Sequence, residues 1–203
     1  MKRYTFSLKS TLVVVIMLMV SVMTFGQKPS SQHLTFKGVP ITGTLIDYTL
    51  KMKENGFTHL ATKDGTAILK GDFAGYKSCT VGVSTLKQKD LVHQIAVVFP
   101  DRETWSTLYS NYSSLKELLT EKYGKPTIVV EKFGDSNSDD KDDNAKMYEV
   151  KFDRCKYYTT WETEKGDIEV SIEHNSVINC FVKLAYFDKI NGAIIRAKAK
   201  DDL

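Results

Sequence analysis

Lys51-Met52-Lys53-Glu54-Asn55-Gly56-Phe57 and Leu119-Thr120-Glu121-Lys122-Tyr123-Gly124-Lys125 decide the fold, because each ends an amphipathic stripe at a glycine and opens onto strands. Upstream of the first, Ile41, Leu45, Tyr48 and Met52 recur at intervals of four, three and four. Upstream of the second, Trp105, Leu108, Tyr112, Leu115 and Leu119 do the same over a longer span. Apolar residues at that spacing fall on one side of a helix. Glycine accepts the left-handed conformation that ends one, and Pro126 prevents the second from resuming.

Strand patterns follow each helix. After Gly56 come Thr58 to Ala61, Thr66 to Phe73, Ser78 to Thr85 and Leu91 to Phe99. The last carries apolar residues at both parities, which suits a central strand. After Gly124 come Thr127 to Phe133, Met147 to Phe152 running on toward Trp161, Ile168 to Glu173, and Val177 to Phe187. Tyr148, Val150 and Phe152 alternate with Glu149, Lys151 and Asp153, and Ile168, Val170 and Ile172 alternate with Glu169, Ser171 and Glu173. Such alternation describes sheets with one buried and one wet face.

Helix then antiparallel strands, twice over, makes this an α+β chain of two tandem repeats, with the sheets joined or side by side and the helices on one face. The expected units are a leader at 1–26, a first repeat at 27–101, and a second repeat at 102–203 with a short C-terminal tail. The element order, with Leu69-Lys70-Gly71-Asp72-Phe73-Ala74-Gly75 in one half and Trp105, Tyr112 and Lys122-Tyr123-Gly124-Lys125-Pro126 in the other, resembles the tandem-repeat fold of the β-lactamase inhibitory protein family and of secreted bacterial families of unknown function. The likeness extends over Phe36 to Asn191. It implies a fold with a concave sheet face, and no inhibitory loop carries over residue by residue.

The N-terminus supplies an address. Lys2, Arg3 and Lys9 precede an unbroken apolar run from Leu12 to Val20, and Thr24-Phe25-Gly26 follows, the layout of a secretory signal peptide. The apolar run is shorter than the roughly 20 residues a membrane span needs. The expected mature chain therefore begins near Gln27, periplasmic or secreted, without a membrane span. Removing Lys2, Arg3 and Lys9 leaves 25 basic against 25 acidic residues, so the precursor's formal charge of +3 argues for no nucleic-acid partner. Three cysteines, Cys79, Cys155 and Cys180, are too few for a disulfide framework and contain no C-x-x-C. Alternation puts Cys79 and Cys180 with apolar neighbours and Cys155 on a charged side with Asp153 and Lys151, and no pairing follows from sequence.

Familiar chemical signatures are missing. Asp135, Asn137 and Asp139 fit the first, third and fifth positions of a calcium loop, but Asp140 stands where glycine must turn and Lys146 where glutamate must close the site. The acidic stretch from Asp135 to Asp143 thus reads as a solvated connection between strands. Ser84-Thr85-Leu86-Lys87 and Ser113-Ser114-Leu115-Lys116 lack the companion motifs of acyl enzymes. His33, His59, His93 and His174 never share a zinc spacing. No catalytic residue, metal ligand or cofactor is assigned, and a binder is expected ahead of an enzyme.

Aromatic content in the second half stands out. Tyr148, Trp105 and Tyr112 match buried stripes, whereas Tyr157, Tyr158, Trp161 and Phe181 are the candidate binding residues, since tyrosine, tryptophan and phenylalanine offer rigid contact area. Tyr157 and Tyr158 are consecutive and point to opposite faces of a strand. The expected function is an exported, non-enzymatic module that binds a protein or peptide through a sheet face. The competing expectation is an exported hydrolase of glycan or peptide acting through carboxylates such as Asp167 with Glu169, or Glu162 with Glu164.

Overall fold

A computed structural model describes residues 32–86, 89–134 and 142–201. The expected signal peptide and the calcium-like positions Asp135, Asn137, Asp139 and Asp140 lie outside the described residues.

Two short strands, β1 (Thr35–Phe36) and β2 (Val39–Pro40), precede helix α1 (Leu45–Glu54). The Ile41, Leu45, Tyr48, Met52 stripe enters the core as expected, but the helix begins only at Leu45. Gly43 has φ +86°, and Thr44 is the N-cap, its hydroxyl accepting from Asp47 N at 3.1 Å. That cap satisfies a donor that has no partner within the helix. Ile41 is therefore a buried loop residue ahead of the helix.

Strands β3 (Thr58–Lys63), β4 (Thr66–Phe73), β5 (Tyr76–Leu86) and β6 (Lys89–Val98) follow as a meander. Helix α2 (Trp105–Tyr123) then starts at the Thr104 cap and stops at Gly124, whose φ is +84°. Its N-terminus has a second cap from far along the chain: Asp143 accepts from Trp105 N at 3.0 Å and from Ser106 N at 2.7 Å. A carboxylate there opposes the positive end of the helix dipole.

The next elements correct one expectation. After β7 (Ile128–Phe133), Asp143–Lys151 forms helix α3 rather than a strand, and β8 (Cys155–Glu162) starts after it. Asp142 caps α3 by accepting from Ala145 N at 2.8 Å. The buried apolar residues of α3 are Met147 and Val150, a spacing of three that helices favour. Tyr148, expected in the core, is 59% exposed. Cys155 is also corrected: it shares its strand face with Thr159 and Trp161, toward the core, and lies partly buried. All three cysteines are free.

Strands β9 (Gly166–His174) and β10 (Cys180–Asp188) and helix α4 (Lys189–Asp201) complete the described chain. Strand order in the single eight-stranded antiparallel sheet is β3-β4-β5-β6-β10-β9-β8-β7. The halves meet where β10 pairs with β6, Ala185 opposite Ala96 and Lys183 opposite Val98, so one sheet crosses the boundary expected at residue 101. Helices α1, α2 and α3 bury Tyr48, Met52, Leu108, Tyr112, Leu115, Met147 and Val150 in the same core as Leu69, Val81, Ile95, Val97, Leu184, Val170 and Trp161. Each such burial contributes roughly 1.5–3 kcal/mol before ordering costs. Asp188, fully buried, ties the ends of this unit: it accepts from Leu34 N at 2.9 Å and Asn191 N at 2.8 Å and lies 3.0 Å from His33 Nδ1. Asn191 in turn donates to the carbonyls of Ile41 and Val92.

Candidate functional site

Strict alternation gives the sheet a second face. In β10, Cys180, Val182, Leu184 and Tyr186 join the core, which leaves Phe181, Lys183, Ala185 and Phe187 on the other side. Phe181 and Ala185 are buried apolar residues that do not belong to the core under the helices. Register extends the face sideways. Lys183 lies opposite Val98 and Ser171, Val98 opposite Thr80, and Ser171 opposite Tyr158, which pairs with Val130. The adjacent row runs Ile68, Gly82, Ala96, Ala185, Glu169, Thr160. Small side chains thus occupy its centre, and partly buried Tyr158 and Phe187 flank it.

Polar groups on this face are organised. Glu173 accepts from Ser171 Oγ at 2.9 Å and pairs with Lys183 Nζ, and Thr160 Oγ1 donates to Glu169 at 3.3 Å. A shallow depression of about 390 Å³ between β8 and β9 is lined by Lys156, Tyr158, Glu169, Ser171 and Glu173. Glu169 and Glu173 stand four residues apart on one strand, about 13 Å between backbones at roughly 3.3 Å per residue. Glycosidase carboxyl pairs are separated by about 5–9.5 Å. Their side chains turn to different partners, Thr160 and Lys183, rather than toward each other.

The four candidate residues divide between the two faces. Tyr158 and Phe181 lie on the open face. Trp161 does not: it is 1% exposed in the core, and its indole donates to the Gly124 carbonyl at 2.9 Å, fixing the end of α2 to β8. Tyr157 also faces the helices, its ring 5.0 Å from Trp105, 6.0 Å from Tyr112 and 5.2 Å from Phe133. These two pack the interior, because alternation sends them with Thr159 to the covered side. Lys183, Ser171 and Glu173 were not among the candidates, and Glu169 was named only with Asp167 as a carboxylate pair, although β9's alternation had placed Glu169, Ser171 and Glu173 on a wet face.

One constellation has the residue types of nucleophilic catalysis. His174 Nε2 lies 3.0 Å from Asp153 Oδ1 and its Nδ1 3.2 Å from the Ser176 carbonyl, while Cys155 and Cys180 occupy the neighbouring strands. Both ring nitrogens are thus engaged away from sulfur. Burial, reinforced by Glu149 and Cys180, pushes the Cys155 thiol up to about 12, so it is not a thiolate at neutral pH. The Asp153 hydrogen bond raises the His174 pKa. Among the described residues, no group of three or more His, Cys, Asp or Glu is placed to share a metal ion.

No protein-family model matches the chain, and neither curated proteins nor solved structures give a significant match.

Proposed function

We propose that this chain is an exported, non-enzymatic binding module of two tandem α+β repeats, which receives a protein or peptide partner on its open sheet face. The observation that carries the reading is Phe181 and Ala185, buried apolar residues outside the helix-covered core, set beside Tyr158, Phe187 and Lys183. Aromatic residues with charged neighbours, presented on a rigid sheet, suit partner recognition, since little side-chain freedom is lost when they are covered. A helix followed by four strands in each half, with α3 inserted after β7, supports the duplication and the resemblance to the β-lactamase inhibitory protein family. Export rests on the signal-like segment from Met1 to Gly26.

The test is crosslinked capture from the exported fraction of the source cell, comparing the parent chain with Tyr158→Ala and Lys183→Ala. A protein enriched by the parent and lost with both variants, at unchanged melting temperature, supports the reading. Enrichment that is indifferent to both variants refutes the assignment of the face.

A further inference from the structure

The β7–β8 end of the same sheet face, where Lys156 also borders the depression described above, has a charge pattern on which the proposed partner binding does not depend. Lys132 and Lys156 are directly opposite each other on β7 and β8. Like charges at such a pair, with Cβ atoms roughly 5 Å apart, are destabilising unless something lies between them. The carboxylates nearby have other partners: Glu173 pairs with Lys183, Glu131 with Lys116 at 2.6 Å and Glu149 with Arg154 at 3.4 Å, and Asp153 lies 3.0 Å from the His174 imidazole. Among the described residues, neither Lys132 nor Lys156 has a carboxylate within ion-pair distance.

The next step along the two strands brings together Gly134 and Arg154, whose carbonyl accepts from Gly134 N at 2.6 Å. Glycine supplies no side chain at this place. The result is a depression of about 290 Å³ lined by Lys132, Gly134, Arg154 and Lys156, together with Phe133 and Asp153. The two lysines, beside an Arg154 that is paired with Glu149 and an Asp153 that is paired with His174, therefore border a space from which one side chain is missing.

We propose that this depression is a binding site for a tetrahedral oxyanion, a phosphate or sulfate group, held between the Lys132 and Lys156 ammonium groups with the Arg154 guanidinium at its rim. A dianion with several acceptor oxygens can meet both lysines at once and relieve their repulsion, which a single carboxylate oxygen does less completely. The group arrives as the free ion or as an ester on a larger molecule, and the chemistry at the lysines is the same.

Calorimetric titration of the parent with inorganic phosphate and, separately, methyl phosphate at matched ionic strength tests the site. The expected dissociation constant is on the order of 1 mM, as for a few exposed charge-assisted contacts. Lys132→Gln with Lys156→Gln should weaken binding at least about tenfold. Gly134→Asp is the second arm. Gly134 is not in the left-handed region, and an added Cβ would meet Arg154 no closer than 3.5 Å, so a carboxylate can be placed in the gap. That variant should lose phosphate binding while melting higher than the parent, and Gly134→Asn should retain binding. Equal affinity for the two ligands identifies an ester-borne group as acceptable; binding of inorganic phosphate alone identifies the free ion. A parent with no saturable response to either ligand, or a double-glutamine variant that binds like the parent, overturns the proposal.

Discussion

Tyr112 and Thr159 join α2 to the sheet through one buried hydrogen bond, and removing either half should cost more than removing both in proportion. Both residues are 0% exposed, and their hydroxyl oxygens lie 2.6 Å apart. Tyr112 also donates to Glu131 at 3.1 Å, and Glu131 accepts from Lys116 at 2.6 Å. Burial raises the Tyr112 pKa, so the phenol stays protonated across the working range. Tyr112→Phe leaves the Thr159 hydroxyl buried without its partner, at about 1–3 kcal/mol. Thr159→Val leaves Tyr112 its Glu131 acceptor and should cost about 1 kcal/mol. The double variant removes both polar atoms and should be less destabilised than the sum of the singles, by about 1 kcal/mol. Urea unfolding supplies the values, with an unchanged slope confirming that only stability moved. Additive single costs would refute the claim that these hydroxyls bond each other across the interface.

Three further outcomes follow from named contacts. Trp105→Ala should cost about 3–5 kcal/mol in thermal or urea unfolding, because its ring meets Phe133 at 4.9 Å, Tyr157 at 5.0 Å and Tyr109 at 5.6 Å; Phe181→Ala, outside that cluster, should cost less, and the reverse order would exchange the inner and outer faces. Gly166→Ala should cost at least about 3 kcal/mol, since an added Cβ would stand 2.1 Å from the Phe187 carbonyl oxygen at φ +153°; a near-parental melt would contradict that geometry. His174 has a folded pKa raised above its unfolded value by Asp153, so its contribution is complete below about pH 6.5 and declines as pH rises through the folded value. The stability gap between parent and Asp153→Asn should therefore narrow from pH 5.5 to 8.5 in urea unfolding; a widening gap would refute the sign. Asp153 is 91% exposed, which keeps the effect small through screening.

The two long stripes made α1 and α2 legible, because Tyr48, Met52, Leu108, Tyr112 and Leu115 repeat at helical spacing and all reach the core. The strands after them were legible for the same reason at period two. Helix α3 was not, since Tyr148, Val150 and Phe152 alternate like a strand over a segment too short for its period to decide. Its signal was Asp142, a residue type that caps helices, three residues ahead of Ala145, whose amide it accepts. The pairing of β6 with β10 joins residues far apart in sequence, and nothing local encodes it. On the site, Phe181 opposed the apolar series of its own strand and was placed correctly by parity. Tyr157 and Tyr158 had to part, but which one faced inward depended on α2 packing over β8. Trp161 was misplaced because its partner, the Gly124 carbonyl, belongs to a helix end 37 residues away.

Gly82 offers the most direct test of the open face as a recognition surface. It sits on β5 in the row with Ile68, Ala96 and Ala185, and an added Cβ would find no atom closer than 3.8 Å. Gly82→Arg therefore sets a large cation in the middle of the face without entering the core. Crosslinked capture from the exported fraction should enrich a partner with the parent chain and lose it with Gly82→Arg, while the two melt alike. Retention of the same partner by a folded Gly82→Arg chain would contradict the proposal that this face binds it.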